Sequence, residues 1–365
     1  MQAAPAAPGD AAASEGRFFA LDTLRYLFAA VVVLGHACGW VATVPGGGLA
    51  VDFFFVLSGF VLSHSLLQAG PDAATPGSFC VARIARLLPM YLLTLSLALL
   101  AVTLNGYTVH LDAALWRDLL LLQSVIPTGS PGYNVPAWSI SAEFWINVSV
   151  FYLVVRMRSA PTAILLTFAG YLMLLDRQIL DHAHVQPLAL TTAAWWRCMA
   201  GLCLGFVAHA AYAWLRRCDA PLSARHRTQL ATLVELLLCA AMIQQLFRFD
   251  LGSRVVAVAL MPVAVVVFAL QRGALSRLLS APLLHPVGNY TYGIYLLHYP
   301  LLIIAHQAGL IRQPPEHMTL LQGFAALAAV TLLAMPLYTW FELPAKRALR
   351  RALTPRRPDG GPARP

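Results

Sequence analysis

Residues 18–41 read FFALDTLRYLFAAVVVLGHACGWV, an apolar run interrupted by three ionisable side chains, Asp22, Arg25 and His36. A helix that crosses the hydrocarbon core of a bilayer needs about 20 consecutive, mostly apolar residues. This run satisfies that length. It therefore predicts a transmembrane helix that carries charged and titratable groups.

Comparable runs recur along the chain. The sequence is 59% hydrophobic and 11% charged, with a mean hydropathy of +0.68, whereas about 25% of the residues of an ordinary globular domain are charged. The runs lie at 18–41, 49–69, 87–105, 137–155, 160–176, 190–214, 229–247, 254–271, 288–309 and 318–341. We therefore expect an all-α integral membrane protein with a bundle of about ten transmembrane helices.

The positions of the basic residues predict how the bundle is oriented. Cytoplasmic loops of membrane proteins carry an excess of Lys and Arg, and with the N-terminus inside, 18 of the 25 basic residues fall on the cytoplasmic side. We expect both termini to be cytoplasmic in a multi-pass protein of the inner (plasma) membrane. The predicted parts are a flexible cytoplasmic tail at 1–16, a membrane domain at 17–345 and a basic cytoplasmic tail at 346–365.

Composition also argues against other classes of partner. The net charge of +9 is scattered between apolar runs and not gathered on one face, so nucleic acid is not the expected partner. The six cysteines form no CxxC pattern and no metal-like pairing with histidine, and we expect no metal site.

His36 is the first candidate for chemistry. It follows Arg25 by eleven residues, close to three helical turns, so both side chains leave the helix on nearly one face. Asp22 and Arg25 are three residues apart and can pair locally. Ionisable groups within a membrane helix are functional candidates, although a buried hydrogen-bonded histidine and a helix-entry ion pair are the structural alternatives.

Glu143 is the second candidate. It lies in the stretch 136–147, PAWSISAEFWIN, where it enters an apolar helix after about one and a half turns. A carboxylate at that depth requires a partner or a proton. At a depth similar to that of His36 it could orient a histidine base, or it could simply bond two helices together.

Two segments supply small or basic residues. In VDFFFVLSGF, 51–60, Ser58 and Gly59 permit close helix approach, and Asp52 could cap the helix end. In FCVARIARLLP, 79–89, Arg83 and Arg86 could bind phosphate groups bidentately or could serve only as membrane anchors.

The stretch 288–298, GNYTYGIYLLH, places tyrosines at helical spacing. Tyr292, Tyr295 and Tyr299 follow one face, with His298 beside them. Such a stripe either binds helices to each other or lines a pocket.

Together these stretches resemble the acyltransferase-3 family of membrane acyltransferases, which acylate cell-surface and secreted glycans. The resemblance rests on the Arg25 and His36 pair in LDTLRYLFAAVVVLGH, on VDFFFVLSGF, RIARLLPMY, WSISAEFW and GNYTYGIYLLH, in that order over residues 21–298. Thr23 and Tyr26 depart from it, because the family usually has glycine at both positions. We expect the added bulk to affect the size of substrate more than the type of reaction.

The resemblance implies a donor, a route and site residues. An acyl-CoA, commonly acetyl-CoA, would enter from the cytoplasm as a co-substrate with no permanently bound cofactor, and a glycan or lipid-linked sugar would accept the acyl group on a hydroxyl at the outer face. His36, Glu143 and Arg25 would be catalytic. The implied substrate-binding residues are Arg83, Arg86, Asp22, Ser58, Trp138, Ser139, Tyr292, Tyr295 and His298.

Two other classes of function remain open from the residues alone. Buried His, Glu and Arg also suit a proton-coupled transporter or flippase of glycan or hydrophobic cargo, although no internal repeat is visible. Polar residues that only specify helix packing would make the chain a structural or signalling membrane protein.

Overall fold

The computed structural model describes residues 17–69, 75–176, 186–188, 190–218, 223–248 and 250–354. The helices are α1 Phe19–Cys38, α2 Trp40–Thr43, α3 Leu49–Gln68, α4 Pro76–Leu104, α5 Ala113–Leu119, α6 Trp138–Ile146, α7 Tyr152–Met157, α8 Ala160–Asp176, α9 Ala193–Leu215, α10 Ala224–Leu246, α11 Leu251–Leu270, α12 Ala274–Leu279, α13 Val287–Gln307, α14 Leu320–Leu337 and α15 Leu343–Leu353. π-Helical turns Asn147–Phe151 and Tyr338–Glu342 join α6 to α7 and α14 to α15. The described strands, β1 Pro187–Leu188 and β2 Thr191–Thr192, pair in antiparallel orientation.

Within the described residues, eight helical spans are long and apolar enough to cross a membrane. They are Phe19–Cys38, Leu49–Gln68, Pro76–Leu104, Val135–Met157, Ala193–Leu215, Ala224–Leu246, Leu251–Leu270 and Leu320–Leu353. The predicted all-α membrane fold is confirmed. The helix α8 is shorter and α13 is less apolar, so the number ten stays a prediction, as does the orientation of the termini.

Capping chemistry explains where α4 begins. The Thr75 hydroxyl accepts a hydrogen bond from the backbone N–H of Ser78, and Pro76 occupies the first helical position, where its missing N–H costs nothing. The helix therefore starts well before the apolar run predicted at residue 87. As a result Arg83 and Arg86 lie on the helix itself, one turn apart.

The two central helices α3 and α9 approach each other closely. A Cβ atom on Gly59 would overlap the Leu202 backbone, and one on Gly205 would overlap the Val56 carbonyl. The predicted packing role of Gly59 is thereby explained, because only glycine leaves room for the facing backbone.

A buried ion pair joins the same two helices. Arg197 donates from Nε to Asp52 Oδ1 at 3.2 Å and from a terminal nitrogen to Asp52 Oδ2 at 2.5 Å, and both side chains are fully buried. Asp52 lies in the first turn of α3, but Arg197 is its partner, and the interpretation of Asp52 as a simple helix cap is incomplete. The pair neutralises two charges that would be costly in the bilayer.

The long connection from residue 105 to 134 folds around a second buried pair. Arg117 contacts Asp118 at 3.1 Å, and the other Asp118 oxygen accepts from the Tyr133 backbone N–H at 2.7 Å. Burial raises the pKa of the Asp118 carboxyl, while Tyr133 and Arg117 oppose that rise. The second half of the connection lacks regular helix up to Val135, as its Pro and Gly content predicts.

Candidate functional site

A cavity of about 210 Å³ lies between α1, α3, α4, α6 and α13. Its ionisable lining consists of Arg25, Arg83, Arg86 and Glu143. Hydroxyl-bearing lining residues are Ser58, Ser139, Thr291, Tyr292 and Tyr295. Three guanidinium groups and one carboxylate thus converge on one small space, which we name the first cavity.

Glu143 is placed in this cavity by a turn at the start of α6. The 3-10 turn Val135–Ala137 leads directly into α6, so that Glu143 reaches α3 after one and a half helical turns. Its Oε1 accepts a hydrogen bond of 2.5 Å from the Ser58 hydroxyl. Ser58 therefore orients the carboxylate, in addition to any role in helix packing.

Arg25 is held by Asp22 one turn earlier on α1. A terminal nitrogen of Arg25 donates to Asp22 Oδ1 at 3.1 Å, and Arg17 Nε donates to Oδ2 at 2.7 Å. Arg17 also donates to Asn289 Oδ1 at 2.8 Å at the start of α13. The local pairing predicted for Asp22 and Arg25 is present, and Arg17 extends it to a second helix.

Arg86 is held by Glu342, which is not among the site residues expected from the sequence. Its guanidinium donates to Glu342 Oε1 at 3.2 Å and lies over the Tyr292 ring, 5.5 Å from the centroid. Glu342 is buried and ends the π-turn between α14 and α15. π-Turns are frequent at functional sites, and the signal in the sequence was a carboxylate directly adjoining an apolar run.

Arg83 differs from its neighbours. Its guanidinium lies over the Phe79 ring at 5.7 Å from the centroid, and its Nε is buried without a hydrogen-bond partner within the described residues. A buried donor that lacks an acceptor costs about 1–3 kcal/mol, more when charged. An anion in the first cavity would relieve that cost.

The tyrosine stripe of α13 both lines a pocket and bonds α13 to neighbouring helices, the two roles that the sequence left open. Tyr292 and Tyr295 line the first cavity, while the Tyr292 hydroxyl donates to the Leu87 carbonyl at 2.7 Å. The Tyr295 hydroxyl contacts Ser139 Oγ at 2.9 Å and donates to the Pro136 carbonyl at 3.1 Å.

Trp138 lies outside the first cavity lining. Its ring packs on Phe55 and faces the guanidinium of Arg197 at 5.6 Å. The structure thus brings it to the buried ion pair between α3 and α9, next to the site. Arg197 was not selected from the sequence as a site residue.

His36 lies apart from the first cavity and from Glu143. Its ring is 5.2 Å from the rings of His298 and Tyr299 and 5.1 Å from that of Trp40, centroid to centroid. No hydrogen bond joins His36 to Glu143 among the described residues. Tyr295 packs on His298 at 6.1 Å, so aromatic contacts lead from the first cavity through His298 to His36.

A second cavity of about 440 Å³ opens beside the first and shares Arg25, Val61 and Arg86 with it. Arg17, Asp22 and Asn289 also line it. It lies at the end of the bundle where α1 and α13 begin. The predicted residues Arg25, Arg83, Arg86, Asp22, Ser58, Ser139, Glu143, Tyr292 and Tyr295 all line one of these two cavities.

Comparison with known proteins gives a family for nearly the whole chain. The family model described as acyltransferase domain, that of the acyltransferase-3 family, matches residues 18–339. No solved structure matches the chain at a significant level.

Several curated proteins match shorter stretches. Acyltransferase MdmB of Streptomyces mycarofaciens is 36% identical over 148 residues, 38% of this chain and 36% of its own. Protein 2 in the picA locus of Rhizobium radiobacter is 45% identical over 83 residues, 22% and 44%. BcsY of Komagataeibacter xylinus, provisionally described as a membrane-bound transacylase, is 31% identical over 148 residues, 36% of each. The chain matches less than half of the length of each relative.

Proposed function

The chain belongs to the acyltransferase-3 family of multi-pass membrane proteins, and we propose that it is an O-acyltransferase that uses acyl-CoA, in the first instance acetyl-CoA. The acyl group would pass to a hydroxyl of a glycan or lipid-linked sugar on the extracytoplasmic side of the inner membrane. The names of MdmB and BcsY agree with acyl transfer.

The observation that carries this proposal is the convergence of Arg25, Arg83 and Arg86 on one small cavity. Asp22 and Glu342 pair with Arg25 and Arg86, whereas Arg83 has a buried Nε without a partner within the described residues. A bound phosphate group would supply an acceptor for Arg83 and further hydrogen bonds to the other two guanidinium groups. Phosphate groups suit guanidinium groups because each can accept two parallel hydrogen bonds.

The second cavity supports a route for the donor. It continues the first cavity toward the beginning of α1, which the distribution of basic residues predicts to be cytoplasmic. The phosphates of an acyl-CoA would occupy the space between Arg25 and Arg86, with the thioester reaching inward past Ser58 and Glu143.

His36 is the proposed base at the other end of the site. In a direct transfer, His36 would take the proton from the acceptor hydroxyl while the hydroxyl oxygen bonds to the acyl carbon and the CoA thiolate leaves. Alternatively, His36 would assist an intermediate acyl transfer. The Glu143 carboxylate lines the first cavity, so Glu143 would act at the thioester of the acyl-CoA and not as the direct partner of His36. Proton transfer of this kind contributes about 10²–10⁴-fold to a rate.

The test is mass spectrometry of envelope and secreted glycans from cells that express wild type, His36→Ala or Arg25→Ala at matched membrane abundance. We expect one acyl mass increment to disappear in both variants. His226→Ala and Arg217→Ala are matched controls, because both side chains are exposed and line none of the cavities.

Purified protein in nanodiscs with radiolabelled acetyl-CoA then establishes the donor. Transfer of label to a glycan fraction by wild type, and not by His36→Ala, supports the proposal. Unchanged glycan acylation in variants that keep full biological activity would overturn it in favour of transport.

A further inference from the structure

A third cavity of about 500 Å³ lies beyond the second, near the ends of α3 and α9. Arg17, His64, Gln68, Tyr212 and Arg216 supply its polar lining. None of these residues was selected from the sequence as part of the site. The proposed function makes no use of this space.

The third cavity is continuous with the donor route. It shares Arg17, Phe18, His64 and Gln68 with the second cavity, which in turn shares Arg25, Val61 and Arg86 with the first. A wall of hydrogen-bonded side chains borders both outer spaces, since His64 Nδ1 contacts His209 Nε2 at 3.3 Å and His64 Nε2 contacts Gln68 at 3.0 Å. His64 and His209 are buried, whereas Gln68 is exposed, and four aromatic contacts hold the two histidine rings against neighbours that include Phe18 and Tyr212.

Size argues that a donor must extend outward from the first cavity. Sites for small molecules and cofactors usually enclose about 300–1,000 Å³, and the first cavity has only about 210 Å³. It can hold the acyl group and the adjoining arm of a CoA thioester. The nucleotide end must therefore lie in the larger outer spaces.

Charge distinguishes the third cavity from the second. The Arg17 guanidinium lines both cavities and is already neutralised by Asp22 at 2.7 Å. No carboxylate is among the described residues that line the third cavity. Arg216 makes no ion pair within the described part of the chain, and its guanidinium is positioned over the Tyr212 ring at 5.6 Å, with the Tyr212 hydroxyl 3.4 Å away.

On these grounds we propose that the third cavity binds the phosphorylated ribose at the nucleotide end of the CoA donor, with Arg216 as the partner of its 3′-phosphate. The assignment rests on the proposed use of an acyl-CoA. It adds a subsite and a reason for the enzyme to discriminate between CoA and its 3′-dephospho form.

The experiment compares two donors in nanodiscs. For wild type, we expect acetyl-CoA to have a KM about tenfold lower than acetyl-3′-dephospho-CoA, because one charge-assisted contact is lost without the phosphate. Arg216→Gln should raise the KM for acetyl-CoA by about tenfold, leave kcat unchanged and leave the KM for the dephospho donor unchanged. Arg217→Gln is the control, since it removes an equal charge from the next residue, which is exposed and lines no cavity.

Equal KM changes for both donors in Arg216→Gln, or equal changes in the Arg216 and Arg217 variants, would overturn the subsite. A thermal-shift assay of CoA and 3′-dephospho-CoA binding to detergent-solubilised protein tests the subsite independently of acyl transfer. Tighter CoA binding that Arg216→Gln abolishes supports the subsite even if no acyl transfer occurs. Acyl transfer from acetyl-CoA without any such discrimination leaves the function standing and removes the subsite.

Discussion

The imidazole rings of His36 and His298 face each other with centroids 5.2 Å apart, and each ring has one buried nitrogen without a hydrogen-bond partner within the described residues. His298 Nδ1 lies 3.3 Å from the Ile294 carbonyl, which can only accept, so the proton is on Nδ1 and His298 Nε2 is an acceptor. We expect a proton on the buried His36 Nδ1 to be donated to this acceptor when the rings approach each other in the substrate complex. Catalytic hydrogen bonds are often long before substrate binds.

His298→Asn should therefore lower kcat by about 10–100-fold with little change in the donor KM, because His298 acts on His36 and not on the donor. Steady-state kinetics with acetyl-CoA measures both constants. His306→Asn on the same helix is the control and should keep wild-type kinetics. A variant of His298 that loses donor affinity but keeps kcat would assign it to substrate binding instead.

Ser58→Ala removes the hydroxyl that donates to Glu143 at 2.5 Å. We expect about a tenfold fall in kcat/KM, since an unpaired carboxylate in the cavity can turn toward the arginines. Ser63→Ala is matched to it, because Ser63 is a buried serine of the same helix whose hydroxyl donates to the Gly59 carbonyl of its own helix. Similar losses in both variants would show a general packing defect.

Glu342→Gln removes the anion that holds Arg86. The donor KM should rise by about tenfold while kcat changes little, because Arg86 loses its orientation toward the phosphates and the reacting atoms are untouched. Glu316→Gln, at an exposed carboxylate outside the cavities, should leave KM unchanged. A fall in kcat at constant KM would contradict the assignment of Arg86 to the donor.

The sequence pattern predicts the helices and many of the site residues, but it does not predict which residues contact each other across helices. The apolar runs predicted the all-α membrane fold, and the basic segment at 79–89 pointed to Arg83 and Arg86 as phosphate-binding residues or membrane anchors. Glu342 was missed because the predicted helix ended at residue 341, one position before it, whereas a π-turn carries the helix onward. The contacts of His36 with His298 and of Asp52 with Arg197 join residues far apart in the chain, and helical periodicity holds no information about which helices become neighbours.

The buried pair of Asp52 and Arg197 should behave as a unit in unfolding. Asp52→Leu or Arg197→Met alone should destabilise the protein by about 3–5 kcal/mol, because each leaves a buried charge without its ion-pair partner. The double variant Asp52→Leu with Arg197→Met should regain most of that stability. Thermal unfolding followed by tryptophan fluorescence measures all three, and additive losses in the double variant would refute the coupling.

Arg117→Gln should make stability depend on pH. Burial already raises the pKa of Asp118, and the loss of Arg117 raises it further. The pKa of Asp118 is therefore higher in the folded state than in the unfolded state. The free energy of unfolding falls as the pH rises through this raised folded-state pKa. The melting temperature of the variant should fall below wild type by an amount equivalent to about 3 kcal/mol at about pH 7.5, and by much less at about pH 4.5.

Arg312→Gln serves as the control for this series, because Arg312 is exposed. Its melting curve should follow that of wild type at both pH values. A penalty for Arg117→Gln that is independent of pH would mean that the guanidinium acts through its bonds to Thr128 and Ser130.

The ion pair between α3 and α9 also has a consequence for biogenesis. Asp52 is synthesised 145 residues before Arg197, which corresponds to about 7–30 s of translation at 5–20 residues per second. During that interval the first turn of α3 carries a carboxylate without its ion-pair partner, near one end of the span, where the cost is below the value of about 2.5–3.5 kcal/mol at the bilayer centre. We therefore expect α3 to reach its final packing only after α9 has been synthesised.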